Sequence, residues 1–311
     1  MTLSCSENKP TSLQPEGTLW PDLSLFGVIL IWGINLPIMK TGLEHVNAYA
    51  FNAFRLTLSA VVLACIAFRD GRLDLRSLTT SQKRQVFVYA LLASGCYQVL
   101  FLLGLDRTTS ANTALIMTSV PMWTALLARF LIHEKLTQLA WVGLLGAFFG
   151  TVVVTASNGI SGESKYLIGN LIMLGAAITW SSGTVASRSI LRTVSPLKLS
   201  AISSVIMLPV HFVIAWDKLG DGIAALPEIE AWSSVLYSGL FSTGFALAMW
   251  NYGVLHTSAA HASVYNNLLP VIAMVSAFLI RGESVTIIQI VGGILIIAGL
   301  MIMHKGRRIS S

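Results

Sequence analysis

The sequence predicts an all-α membrane protein of ten transmembrane helices, arranged as two inverted five-helix repeats around a central cavity. Three observations predict it. First, 54% of the 311 residues are hydrophobic and only 11% are charged, too few polar groups to cover a water-facing surface, so lipid must supply the outside. Second, the apolar runs are continuous over about 20 residues each, the length an α-helix needs to cross a bilayer core. They do not alternate, which excludes the strands of a β-barrel. Third, the chain repeats. Trp32 and Lys40 are echoed by Trp180 and Arg188, 148 positions on, and Gly104, Pro121, Glu134, Gly143 and Gly150 by Gly253, Pro270, Glu283, Gly292 and Gly299, 149 positions on. Five crossings between each residue and its counterpart turn the second half upside down, as in folds that build one site opening to alternate sides.

The spans are read at 23–41, 48–68, 86–105, 110–132, 138–157, 167–187, 197–216, 232–252, 259–280 and 285–304. They divide the chain into a polar tail (1–22), a first repeat (23–157), a connecting loop (158–166), a second repeat (167–304) and a basic tail (305–311). The tail before the first span carries Pro10, Pro15 and Pro21 and no apolar core for a signal peptidase, so the first span is expected to act as an uncleaved insertion signal. Lys and Arg set the orientation. With the N-terminus inside, the inside segments collect Lys9, Arg69, Arg72, Arg76, Lys83, Arg84, Lys135, Arg188, Arg192, Lys198, Lys305, Arg307 and Arg308. The outside loops carry only Lys40, Arg107, Lys165, Lys218 and Arg281. Both termini are therefore expected in the cytoplasm of a cell whose inner membrane holds the chain. The net charge of +6 is a topology signal, and its spread over short loops argues against a nucleic-acid partner. Cys5, Cys65 and Cys96 give no disulfide framework and no metal-ligand spacing, and no cofactor motif is present.

Polar and aromatic residues within the spans are the candidates for chemistry. Asn35 and Pro37 are expected to interrupt the first span, because proline frees a backbone carbonyl that needs protein or a wet cavity beside it. Pro121 and Pro270 stand at equivalent points of the two halves, and with Pro37 they are read as gating kinks or as structural kinks packed by neighbours. Trp32, Tyr97, Phe101, Trp123, Trp180, Phe241, Phe245, Trp250 and Tyr265 cluster where a ligand pocket would draw aromatic walls, whereas Trp20, Trp141 and Trp232 suit interfacial anchors. Tyr265-Asn266-Asn267 is the most polar triplet at membrane depth, with Gln98, Ser242 and Thr243 as potential partners. From these the substrate-binding set is read as Trp32, Asn35, Tyr97, Gln98, Phe101, Trp180, Phe245, Tyr265 and Asn266.

Arg55 lies about two helical turns below the outer end of its span, deep for a guanidinium. It serves either as a counter-charge for a substrate carboxylate or as a tether to backbone carbonyls, Glu44 or Asp106; the tether is the reading adopted. Lys40 is expected to snorkel. No Asp or Glu stands in the middle of any span, which points to uniport or exchange; His211 and His261 are read either as groups able to titrate near neutral pH or, the reading adopted for a lone histidine in an apolar helix, as simply hydrogen-bonded. Gly143, Gly146 and Gly150, with Gly292, Gly293 and Gly299, offer small faces for close helix contact, as the seam between halves or as a homodimer interface; the internal seam is adopted.

The run Trp32-Gly33-Ile34-Asn35-Leu36-Pro37, the pair Phe54-Arg55, Pro121 with Glu134 thirteen positions on, and their echoes Trp180-Ser181-Ser182-Gly183 and Pro270 with Glu283 resemble the drug/metabolite transporter superfamily, in particular its EamA-type ten-helix carriers. The resemblance covers nearly the whole chain after the tail. It implies a pseudo-twofold fold, a cavity formed by spans 1, 3, 4, 6, 8 and 9, and movement of a small amphipathic metabolite, amino acids or related compounds first, with export favoured. Asn251-Tyr252 depart from the matching apolar stretch of the first half. The rival readings are an intramembrane serine protease, on the loop Gly159-Ile160-Ser161-Gly162, and a non-transporting scaffold. The protease reading is weak, because its serine would head an apolar helix and this one stands in a polar loop.

Overall fold

The computed structural model describes residues 19–69, 78–131, 136–156, 164–191, 193–225, 227–247, 249–250, 265 and 268–308. Its helices are α1 (Trp20–His45), α2 (Ala48–Arg69), α3 (Thr80–Arg107), α4 (Ser110–Leu131) and α5 (Gln138–Ala156). They continue with α6 (Ser164–Ile190), α7 (Pro196–Ala215, followed by the helical segments Trp216–Lys218 and Leu219–Ala225), α8 (Ile229–Leu236, prolonged by Tyr237–Phe245), α9 (Leu269–Arg281) and α10 (Ile287–Arg308). No strand occurs among the described residues. Six stretches are long and apolar enough to cross a membrane, namely α1 to α4, Tyr166–Ser187 of α6 and Leu197–Ala225; α5, α9 and α10 contain shorter apolar runs. The chain is a multi-pass helical membrane protein.

Local chemistry sets the helix ends. Thr79 and Gln82 close a reciprocal capping box at the start of α3, and Thr286 and Gln289 repeat those bonds before α10. Gly282, with φ +65°, ends α9 in the left-handed turn that only glycine enters cheaply. Lys40 Nζ donates to the carbonyls of Leu105 (2.8 Å) and Thr108, capping the C-terminal end of α3 where a cation meets the helix dipole.

Proline does not interrupt α1, which runs unbroken through Pro37. The carbonyl left without its amide partner belongs to Gly33, and the Ser276 hydroxyl of α9 lies 3.2 Å from it, its one proton shared between Gly33 and the Ala273 carbonyl at 3.1 Å. At Gly33 a Cβ would come within 2.5 Å of Ile272, so the missing side chain is what lets α9 approach. In the fourth span, by contrast, the helix does break, at Ser119 just ahead of Pro121.

The packing follows the repeat. α1 lies against α8 and α9, and its counterpart α6 lies against α3 and α4; α2 packs on its counterpart α7, and α5 on α10. The α5–α10 seam is built by glycine. A Cβ on Gly143 would meet the Met303 amide nitrogen at 2.3 Å, and one on Gly150 the Gly292 carbonyl oxygen at 2.7 Å. The glycine faces thus meet each other within one chain. Leu36, Ala114 and Ala273 bury a small apolar cluster where α1, α4 and α9 cross, with Phe101 of α3 packed on it.

Two counterpart helices share a feature the sequence did not announce. Within α3, Ala90–Cys96 is π-helical, and within α8 so is Tyr237–Phe245. The Tyr97 amide reaches back five residues to the Leu92 carbonyl, and the Ala246 amide five to that of Phe241. Such wide turns release carbonyls from the regular ladder and occur often at functional sites.

Candidate functional site

The candidate residues fall into two clusters, related by the repeat. The first joins α1 to α8. Trp32 and Asn35 are three positions apart and so share a face. Trp32 Nε1 donates to the carbonyl of Ser242, in the π-helical stretch, at 2.9 Å, and its ring lies 5.5 Å from that of Trp250. Asn35 is buried. Its Oδ1 accepts from the Ser238 hydroxyl at 2.8 Å and its Nδ2 donates to the Met39 sulfur at 3.0 Å. Further along α8, Phe245 stacks on Phe241 and is half-exposed.

The second cluster joins α3 to α6 and α2. Tyr97 packs its ring 4.7 Å from Trp180, the counterpart of Trp32, and 5.5 Å from Phe101, the counterpart of Trp250. Gln98, the next residue, accepts from Arg55 Nη2 at 2.7 Å. The Gln98 side-chain oxygen is thus taken by Arg55. Tyr265 donates its hydroxyl to Asp22 at the start of α1, 2.8 Å away. Asn266, Asn267, Glu134, His261, the Asn251-Tyr252 pair and Ser161 with its loop lie outside the described residues.

Arg55 corrects the sequence reading. It reaches neither proposed carboxylate: Glu44 pairs with Arg281 at 2.7 Å and Asp106 with Arg107 at 3.2 Å. Its partners are amide oxygens, Asn52 Oδ1 on Nε at 3.1 Å and Gln98 on Nη2. Asn52 in turn faces His211 Nδ1 at 3.2 Å, and His211 Nε2 faces the Ser94 carbonyl at 2.7 Å. His211 is thus hydrogen-bonded at both ring nitrogens. The two π-helical stretches flank this group, since Ser94 lies inside one and Gly239 of the other would place a Cβ 2.7 Å from the Arg55 carbonyl oxygen. Sequence reasoning missed Asn52 and Ser94; the Asn52–Arg55–Ser59 spacing along one helical face was the available signal.

Glu283 closes the far end of α9. Its carboxylate accepts from the Ser110 amide (2.9 Å) and hydroxyl (3.1 Å) and from Arg281 Nε (3.0 Å). Arg281 also donates to the Thr41 hydroxyl at 3.0 Å, so one network ties together α1, α4 and α9.

A bundle of apolar crossings, with buried polar and aromatic clusters between its helices, has the form of a membrane carrier. The model of the EamA-like transporter family matches residues 19–156 and again 167–304, and the chain belongs to that family. It is a transporter and not an enzyme. The chain is similar to "Uncharacterized transporter YoaV" of Bacillus subtilis, 25% identical over 287 residues covering 89% of this chain and 94% of that one. It is also similar to the "Probable terminal-alkyne amino-acid exporter" of Streptantibioticus cattleyicolor, 25% identical over 90% of this chain and 93% of the relative. The "Probable amino-acid metabolite efflux pump" of Salmonella typhimurium is 23% identical over 91% and 94%. A solved crystal structure shares the fold, with a TM-score of 0.64 and 21% identity over 94% of this chain and 98% of that one.

Proposed function

We propose that the chain exports a small amphipathic metabolite, an amino acid or a related compound, across the cell's inner membrane by alternating access. It crosses ten times, as two inverted five-helix repeats with both ends in the cytoplasm. The observation that carries this reading is the exchange of helix contacts between halves, α1 on α8 and α9 against α6 on α3 and α4. Short links make successive helices antiparallel, so five of them per repeat invert the second, and two equivalent interfaces then take turns opening. Two relatives named for amino acids or their metabolites support the substrate class. The substrate would be held by Trp32, Asn35, Tyr97, Gln98, Phe101, Trp180, Phe245, Tyr265 and Asn266, with Pro121 and Pro270 marking the segments that move.

Counterflow in proteoliposomes tests this. Vesicles preloaded with single unlabelled amino acids should accumulate the matching labelled one, saturably, and Trp32→Ala and Trp180→Ala should raise the half-saturating concentration while leaving the melting profile intact. Absence of counterflow across a panel of amino acids and their derivatives, from protein that melts cooperatively, would refute the reading.

A further inference from the structure

We infer that Arg55, with Gln98 and Ser59, forms an anchor for the carboxylate of an organic acid, and that the His211–Asn52 pair holds the guanidinium in place for it. This rests on the transporter reading and names the substrate group that the site takes.

Four observations carry it. Arg55 is only 3% exposed, yet no carboxylate among the described residues lies within ion-pair distance. A buried guanidinium balanced by neutral partners alone is costly, and structures that retain one give it an anion or a functional task. Second, a guanidinium carries five N–H groups. Nε is held by Asn52 and one N–H of Nη2 by Gln98, which leaves Nη1 and the second N–H of Nη2, the fork suited to a bidentate carboxylate. Third, Ser59 lies one turn along the same face of α2; it is buried and its hydroxyl has no hydrogen-bond partner. It is a ready donor to a second carboxylate oxygen. Fourth, the ring pair Tyr97–Trp180 stands next to Gln98 and supplies an apolar wall for the body of the ligand.

The polarity of the chain behind Arg55 is fixed at both ends. The Ser94 carbonyl only accepts, so His211 Nε2 carries the proton; Arg55 Nε only donates, so Asn52 presents its oxygen there and its NH2 to His211 Nδ1. A neutral His211 and Asn52 therefore lock one edge of the guanidinium and leave the other edge for a ligand. Among the described residues, the charged or titratable groups around His211 are few. Arg55 faces it from α2, and on α3 Tyr97 lies beyond Arg55 while Tyr89 bonds to Ser200. Asp217 and Lys218, past the end of α7, pair with each other at 3.0 Å.

The test is ligand-dependent thermal stabilisation and isothermal titration of the full chain in lipid nanodiscs, with matched pairs differing only in the carboxylate. The probes are 3-phenylpropanoate against 3-phenylpropanamide, and L-norleucine against L-norleucinamide. The acid of at least one pair should bind at least about tenfold tighter than its amide, the scale of charge-assisted hydrogen bonds. Ser59→Ala should reduce that preference. Asn52→Asp is the sharper variant, because it gives Arg55 an internal carboxylate. Its melting temperature should rise or hold while acid binding is lost. Equal binding of acid and amide in both pairs, or no binding of either acid, overturns the proposal, as does full acid preference in Asn52→Asp. Counterflow of an amide or amine in the same protein would then leave the transporter reading standing without the carboxylate anchor.

Discussion

Replacing Gly299 by alanine should unseat α10 from α5. The added Cβ would stand 2.3 Å from the Ala147 amide nitrogen and 2.6 Å from the Gly143 carbonyl oxygen, both backbone atoms that no rotamer change can move. Ordinary contact needs about 1 Å more, so the two helices must part along the seam. Overpacking of this kind costs about 2 kcal/mol, partly offset by the better helix propensity of alanine, worth up to about 1 kcal/mol. At roughly 2–4 °C per kcal/mol, the melting temperature should fall by a few degrees. Gly146→Ala is the internal control. It lies on the same face, but its nearest foreign atom would be Gly299 Cα at 3.5 Å, an ordinary contact, so propensity decides and stability should hold or rise slightly. Tryptophan-fluorescence melting of both variants in one detergent, with size-exclusion light scattering, reads the difference. Equal melting of the two variants would refute the seam as described. A change of particle mass without a change of melting would move the glycine face to an interface between chains.

Two further outcomes follow from named contacts. Ser276→Ala removes the donor to the carbonyl that Pro37 strands and should cost about 1 kcal/mol; in a Pro37→Ala background, where an amide returns to that carbonyl, the cost should largely vanish, and a double-mutant cycle by denaturant titration checks it. Arg281→Gln should lower the melting temperature more than Glu44→Gln, since Arg281 also holds Thr41 and Glu283 and is 14% exposed against 58% for Glu44. Equal losses would reduce Arg281 to one surface ion pair, worth about 1 kcal/mol or less.

Much of the bundle was legible because lipid imposes a simple rule, long apolar runs with charged ends. The 148- and 149-residue spacing pairs Trp32 with Trp180, Pro121 with Pro270 and glycine with glycine, and Gly150 and Gly292, each from one such glycine pair, meet along the α5–α10 seam. What hydropathy does not encode is how the backbone answers a local demand. Pro37 reads as a break, yet Ser276, 243 positions from Gly33, reaches the stranded carbonyl. The π-helical turns in α3 and α8 leave no compositional mark, since Ala90–Cys96 is as apolar as any regular helix. Arg55 was visible as a deep charge, but its partners were misassigned to the acids nearest in depth. A buried amide, Asn52, holds its Nε from three residues away, and its link to His211 joins helices 159 positions apart in sequence.

The inverted repeat is tested most directly by sidedness at counterpart positions. Thr79 and Glu228 are 149 positions apart and precede the counterpart helices α3 and α8. In a background with Cys5, Cys65 and Cys96 replaced, single cysteines at 79 and 228 would be labelled with a membrane-impermeant maleimide on intact and on opened cells. Position 228 should react in intact cells and position 79 only after opening. Reaction of both from the same side would contradict the inversion, and with it the alternating use of two equivalent interfaces.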